Sequence, residues 1–441
     1  MSWLGLSRLM VEGGSPLRAV AWRGQTVLNY ARFRSDVTAI AAAFSGCPSA
    51  ALLCRDSYRF AAGLFGLLRA GVRVVLPSSS QPAALQDLAG VFDIIVDDVT
   101  VVSASEAGGA GPMTPLDPDL AVMEFYTSGS TGAPKRIVKT LAMLEREVAM
   151  FEAVFGPGLS SASVLATVPH QHMYGLPFKI LWSLAAGRAF SAQTHMFWET
   201  VLADMPDGAV IVSSPAHLGR LSGFAPLPSS RRPSLVLSAG APLSRDASDE
   251  AAAILGCRPT EIFGSTETGA IATRCARVGE ADPWTLLPGV RLRCDPDDQM
   301  QVQTDVVGAD WIALSDRITL LEGGFVHHGR SDRIVKIEGK RINLIAVEKA
   351  LLQHPLVTAA VVVALDAPLR LAAAVVITAE GKGILTNTGS FRFGRQLRQF
   401  LRTHLDPAGI PRQWRFIDTL PAHPMGKRRD ADIVALFRED V

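Results

Sequence analysis

Cysteine is scarce and scattered. Cys47, Cys54, Cys257, Cys275 and Cys294 are the five thiols in 441 residues, and no two stand at CxxC spacing. An odd, dispersed set excludes a disulfide framework and argues against a cysteine metal centre, so the chain is expected in the reducing cytoplasm. Long apolar runs are missing too. None approaches the roughly 20 residues that a bilayer span needs, and the most apolar stretch, Val357 to Leu365, has only the length of a strand. Met1 to Gly14 lack the basic start and apolar core of a secretory signal. Neither sign of charge dominates: a net +1 leaves no footprint for nucleic acid. What remains is 48% hydrophobic and 19% charged, the composition of a folded protein with a large interior. Its length exceeds one ordinary core and implies two or more domains.

The charge balance is not uniform. From Arg330 onward stand 18 basic and 11 acidic side chains, a net +7, which leaves −6 for the rest. Such a division can mean solvated faces and mutual attraction; it also suits a lid over phosphates, or a surface for an acidic partner. Along the acidic part, hydrophobic spacing predicts helices over Val27–Phe44, Tyr58–Arg69 (capped by Asp56), Ala84–Leu88 and Leu141–Phe155. Strands are expected at Ala50–Cys54, Val72–Leu76, Val91–Val96, Val164–Val168, Ala209–Ser213 and Ser234–Ser238, with Ser103–Pro118 a linker. Strand and helix alternate, which implies parallel strands flanked by helices. A further helix is expected at Leu344–Leu352. No internal repeat or long low-complexity segment occurs.

Two stretches carry most of the chemistry. Tyr126-Thr127-Ser128-Gly129-Ser130-Thr131-Gly132-Ala133-Pro134-Lys135 combines hydroxyls, glycines and a lysine after a short apolar run. Backbone N–H groups freed by glycine, with hydroxyl and ammonium donors, suit a polyphosphate. The order is not that of a Walker loop, and composition alone also permits a plain Gly/Ser surface turn. The second stretch is Glu261-Ile262-Phe263-Gly264-Ser265-Thr266-Glu267-Thr268-Gly269. Phe263 offers a stacking face, Thr266 a hydroxyl and Glu267 a hard oxygen for Mg²⁺. By itself this string could equally be a helix cap with an acidic first turn. Gly240-Ala241-Pro242, a small-residue turn after an expected parallel strand, would let a flat heterocycle approach the backbone; an ordinary strand-to-helix turn reads the same way.

Together these stretches resemble the adenylate-forming (AMP-binding) enzyme superfamily of acyl-CoA synthetases, peptide-synthetase adenylation domains and luciferases. Three further segments carry the resemblance. Pro169 to Gly175 is similar to the family's Pro-x-x-His-x-x-Gly, Gly329 to Ile342 to its Gly-Arg-x-Asp hinge, and Leu420 to Arg429 to its closing Gly-Lys motif. The resemblance covers nearly the whole chain. It implies a large N-terminal α/β domain with parallel-rich sheets, residues 1–329, and a small mobile C-terminal α+β lid, residues 330–441, hinged at Asp332. The implied reaction activates a carboxylic acid with Mg·ATP to an acyl-adenylate and pyrophosphate. A pantetheine thiol, of CoA or an acyl carrier protein, then takes the acyl group and releases AMP. The phosphate loop, including Lys135, would hold the β- and γ-phosphates, and Gly240, Ala241, Pro242, Phe263 and Gly264 the adenine. Thr266 would meet the α-phosphate, Glu267 the magnesium, Asp316 the ribose and Arg330 a ribose or phosphate. His172 would gate the carboxylate site, Gly339 border the pantetheine passage, and Lys427 act as the mobile catalytic lysine. The chain departs from the pattern at Glu261, where Asn or Gln is common, at Leu314-Ser315, which replace Thr-Gly, and at Arg428-Arg429, where the register shifts. No carrier domain follows Lys427, which implies a stand-alone ligase. An aromatic or medium-chain acid is the favoured substrate. A degenerate binder without turnover and an oxidative member of the family remain alternatives.

Overall fold

A computed structural model describes residues 3–111, 113–128, 134–159, 162–241, 243–275, 283–295, 299–330, 334–366, 369–420 and 430–437. Of residues 83, 127, 128, 134, 328–330, 366 and 430–432 only the backbone is described. The chain forms two compact units. One comprises Met1–Ser80, Leu88–Thr127 and Arg136–Ser331; the other comprises Gln81–Asp87, Ser128–Lys135 and Asp332–Val441. Mixed α/β structure with parallel-rich sheets in a large N-terminal part and a small C-terminal part is the expected fold class.

In the first unit one sheet runs in the order Ile94–Val96, Ser49–Leu52, Arg73–Leu76, Val122–Ser128, Pro134–Thr140. The first four strands are parallel. Ser49–Leu52 is buried along its length, and the helix Ser57–Arg69 that follows is buried at nearly every position. A strand and helix with so little polar surface are stable only inside a layered α/β core. Asp56 caps that helix as expected, accepting from Arg59 N at 2.9 Å. A larger sheet contains Phe190–Ser191, Val164–Ala166, Val210–Ser213, Leu235–Ser238 and Thr260–Ser265 as adjacent parallel strands. It continues antiparallel through Gly269–Arg274, Trp284–Leu286, Gly324–Arg330 and Gly308–Leu321. Ligand sites in such sheets form where parallel strands end.

Three sequence expectations are corrected. The helix placed from Val27 begins at Tyr30, because Thr26–Asn29 pairs with Ala19–Arg23 and Asn29 then caps the helix through Arg32 N. The strand placed from Val91 is only Ile94–Val96; the amide of Val91 turns back to Leu88 O at 3.0 Å. The linker placed from Ser103 starts inside the helix Asp98–Ala107, which Asp97 caps and Val101 and Ala104 anchor in the core.

The second unit has its own core. Strands Val357–Asp366 and Leu369–Ile377 pair antiparallel, with Gln413–Phe416 parallel to the latter. Helices Leu344–Leu352 and Ala379–Leu401 pack with that sheet around Leu351, Val362, Val375, Phe393 and Leu397. Gly389 is non-helical, with φ 79°, and kinks the longer helix. Ile334–Ile337 and Lys340–Asn343 form a hairpin whose turn residues Glu338 and Gly339 both have positive φ. Gly339 therefore occupies a position that a side chain would strain.

Candidate active site

The site grows from the strand pair Thr260–Ser265 and Gly269–Arg274. The string Gly264 to Gly269 is the turn of this hairpin, not a helix cap. The two backbones cross so closely that a Cβ on Gly264 would stand 2.3 Å from Gly269 O. Within the turn Thr268 Oγ1 accepts from Ser265 N at 3.3 Å and donates to Gly269 O at 2.9 Å, closing the loop on itself. Thr266 and Glu267 stand at its tip, both half-buried.

Phe263, on the same strand, is half-buried among Trp284, Phe325 and His327, with ring centroids 5.2, 5.3 and 5.2 Å away. Edge and tilted contacts fix its ring from one side. His327 also reaches Asp316: its Nε2 lies 2.9 Å from the Asp316 carboxylate, which is only 5% exposed. The backbone of Arg330 is the register partner of Asp316. One imidazole thus links the aromatic face to the carboxylate assigned to ribose.

Glu261 replaces the family's common amide with an acid, and the structure gives the reason. One carboxylate oxygen accepts from Leu243 N at 3.1 Å; the other accepts from Arg274 Nε at 2.9 Å. The side chain is buried and ties the Gly240–Ala241 turn to the aromatic strand. Gly240 has φ 97°, a backbone conformation that favours glycine.

Either side of the phosphate loop is also fastened. Glu124, fully buried on Val122–Ser128, accepts from Arg73 at 2.8 Å and from Arg136 on the strand beyond the loop. Burial works against its charge, yet the bonds and charges of Arg136 and Arg73 outweigh it and hold the carboxyl below its usual range. Lys135 itself is exposed on Pro134–Thr140.

His172 is half-buried in the segment after Val164–Ala166, and Leu176 N donates to its carbonyl at 2.9 Å. Gly175 lets that segment fold back, since a Cβ there would meet Pro169 O at 2.1 Å. Its neighbour His170 is anchored in the core: Nδ1 lies 2.9 Å from Ser57 Oγ, and Nε2 3.0 Å from Cys54 O. Lys179 donates to the same Ser57 Oγ at 2.6 Å and to Gln193 O at 2.7 Å. Burial depresses the pKa of Lys179 to about 7, and burial together with the Lys179 charge depresses that of His170 to about 3.

Gly129, Ser130, Thr131, Gly132, Pro242, Asp332 and Lys427 lie outside the described residues, as do the side chains of Thr127, Ser128 and Arg330. Gly339 belongs to the second unit. The structure gathers Phe263, Gly264, Thr266 and Glu267 on one hairpin, reaches Asp316 on a more distant strand of the same sheet through His327, and ties Gly240 and Ala241 to the hairpin through Glu261. Sequence reasoning missed Glu124, Arg136, Lys139, Glu147, Arg274 and His327.

An aromatic ring, a buried acid and glycine turns at the ends of parallel strands define a nucleotide-binding α/β enzyme. Glu267 suits a magnesium that arrives on nucleotide phosphates. No group of three or more His, Cys, Asp or Glu side chains that could hold a metal occurs among the described residues, and Mg²⁺ commonly takes one carboxylate plus phosphates and water. Residues 78–312 match the AMP-binding enzyme family, and residues 346–427 match the AMP-binding enzyme C-terminal domain. The chain belongs to the AMP-binding enzyme family. It is similar to the 4-coumarate–CoA ligase of Rhodobacter capsulatus, 32% identical over 70% of this chain and 75% of that one. It is also similar to the fatty acid–[acyl-carrier-protein] ligase ScoC of Streptomyces coeruleorubidus, 25% identical over 93% and 91%. The solved structure of the amide bond synthetase McbA from Marinactinospora thermotolerans has the same fold, with a TM-score of 0.78, 20% identity and coverage of 98% and 100%.

The enzyme is therefore an AMP-forming acid–thiol ligase. It uses Mg·ATP to adenylate a carboxylic acid, releases pyrophosphate, and passes the acyl group to the thiol of CoA or a carrier protein. No described helix is long and apolar enough to cross a membrane.

Proposed function

We propose that the substrate is an aromatic or medium-chain carboxylic acid and that the thiol acceptor is CoA, with a phosphopantetheinylated carrier the close second. The observation that carries the nucleotide half is the link from Phe263 through His327 to Asp316 at 2.9 Å. Adenine stacks on Phe263 beside Gly240, Ala241 and Pro242, and Asp316 accepts the ribose hydroxyls. Thr127, Ser128, Ser130, Thr131 and Lys135 bind the β- and γ-phosphates, the part that leaves. Thr266 donates to the α-phosphate and Glu267 holds magnesium, whose charge stabilises the departing pyrophosphate. His172 orders the entrance to the carboxylate site. Lys427 bridges the substrate carboxylate and the α-phosphate while charge builds up between two anions.

The lid, residues 330–441, turns about Asp332 after adenylation, which withdraws Lys427 and brings Gly339 beside the thiol passage. The net positive charge of that segment suits the CoA phosphates and an acidic carrier surface alike. The 4-coumarate ligase relative favours an aromatic acid, and ScoC keeps the carrier open. The enzyme is placed in the cytoplasm, a reading that the five dispersed cysteines support. The reaction calls for no nucleic-acid partner. Pyrophosphate exchange across a panel of acids tests the reading, with wild type and Lys427→Ala side by side. An acid that drives exchange in wild type but not in the variant supports it. No active acid, or full exchange by Lys427→Ala, overturns it. Adding CoA or loaded carrier to the active acid decides the acceptor.

A further inference from the structure

Behind the Thr266–Glu267 turn lie two buried charged side chains, each hydrogen-bonded to the backbone of the turn. Lys139 is on Pro134–Thr140, four residues beyond Lys135, and its side chain is 1% exposed. Its ammonium donates to the carbonyl of Glu267 at 2.6 Å. Glu147, on the helix Leu141–Phe155, is equally buried and accepts from Ala270 N at 2.8 Å. Its second oxygen has no hydrogen-bond partner among the described residues. Between the two attachment points sits Gly269, with φ 75°, where a Cβ would stand 2.5 Å from Glu147 Oε1. The carboxylate therefore packs straight onto the glycine backbone.

Charged groups in these places are expensive for stability. Both lie among apolar neighbours on their own elements: Ile137 shares the buried face of the strand with Lys139, and Leu144, Val148 and Phe151 surround Glu147 on the helix. Desolvation lowers the pKa of Lys139 against the charges of Glu147 and Glu267, and raises that of Glu147 to about 7 against the Lys139 charge and the Ala270 N–H bond. Apolar side chains of similar volume would usually serve the core as well or better. What they cannot do is bind a carbonyl on one side of a turn and an amide on the other.

We propose that Lys139 and Glu147 are positioning residues that clamp the backbone of the 266–270 turn and so hold Glu267 in place for the magnesium of Mg·ATP. The proposal rests on the assignment of Glu267 to that metal. Because Lys139 follows directly on the strand leaving the phosphate loop, the metal-binding turn is braced by the element that carries the loop's lysine. Both act through the turn.

Calorimetry with α,β-methylene-ATP, with and without Mg²⁺, tests the clamp apart from turnover, alongside the Mg²⁺ dependence of pyrophosphate exchange. Lys139→Met and Glu147→Leu are expected to raise half-saturating Mg²⁺ and to cut the Mg²⁺-dependent gain in affinity, each by about 10-fold, the size typical of losing a residue that orients a metal ligand. Metal-free affinity stays within about 2-fold. Glu147→Gln, which keeps the acceptor for Ala270 N, is expected to restore the Mg²⁺ response. Folded variants with a lower melting temperature and an unchanged Mg²⁺ response would overturn the clamp. Should Lys139→Met or Glu147→Leu not fold, Lys139→Gln, which keeps an N–H donor without a buried charge, decides by a shift of about 3-fold or its absence. Glu267→Gln separates the two assignments. If it leaves the Mg²⁺ response intact, the metal assignment itself falls; if it abolishes the response while Lys139→Met does not, only the clamp falls.

Discussion

The guanidinium of Arg274 and the carboxylate of Glu261 meet at 2.7 Å on adjacent antiparallel strands, and Arg274 also lies over the Trp284 ring at 4.5 Å. With its other oxygen Glu261 accepts from Leu243 N. The pair therefore joins the Gly240–Ala241 turn, the proposed wall of the adenine site, to the strand that carries Phe263. An amide could accept from Leu243, but it could not offer Arg274 a charge.

Glu261→Ala should consequently do two kinds of damage. It leaves a buried amide and a partly buried guanidinium without their acceptor, so unfolding in urea should show a loss of about 3 kcal/mol. The KM for ATP should rise while that for the acid changes little. Glu261→Gln should recover most of the nucleotide affinity and only part of the stability.

Glu124, on Val122–Ser128, pairs with Arg136 on Pro134–Thr140 and with Arg73 on the neighbouring strand Arg73–Leu76. Glu124→Gln keeps the shape but leaves two cations facing a neutral group. Denaturant titration should register a loss of about 1 kcal/mol, because the two arginines are partly exposed and solvent takes up their charge. Pyrophosphate exchange should fall more steeply than AMP binding, on the proposal that the phosphate loop holds the leaving phosphates.

For the nucleoside, Asp316→Ala should weaken AMP binding by about 10-fold or more, the scale of hydrogen bonds to a charged acceptor. Calorimetry with AMP and with adenine alone checks this. Adenine affinity should be almost unchanged, and a parallel loss for adenine would contradict the ribose role.

His170 makes stability depend on pH. Its neutral ring is held with Nε2–H toward Cys54 O and with Nδ1 accepting from Ser57, whose oxygen takes the Lys179 ammonium. The folded pKa, about 3, lies below the ordinary 6.5, so the unfolded chain binds a proton that the native one refuses. The contribution is complete above pH 6.5 and is lost as pH falls toward 3, with a slope of up to about 1.4 kcal/mol per unit. Glu147, raised to about 7, acts in the opposite direction between its ordinary 4.5 and 7. The stability difference between wild type and His170→Asn isolates the histidine, and it should shrink as pH falls through that window.

Sequence alone determined the reaction class, because the strings that carry the family resemblance are each a few contiguous residues. It also determined Ser57–Arg69, Leu141–Phe155 and Leu344–Leu352, whose apolar spacing and caps are local. The helical spacing at Val27–Asn29 is overridden by pairing with Ala19–Arg23, and that pairing is not local. The tertiary structure alone decided what supports the motifs. Glu147 interrupts an otherwise apolar helix face, a signal present in the sequence, whereas Lys139 shares its strand face with Lys135; only folding shows that their partners are the carbonyl of Glu267 and the amide of Ala270. The same holds for Glu261 with Leu243 and for His327 with Asp316, pairs separated by 18 and 11 residues. Backbone groups are chemically alike at every position, so no residue code announces which of them a buried charge will bind.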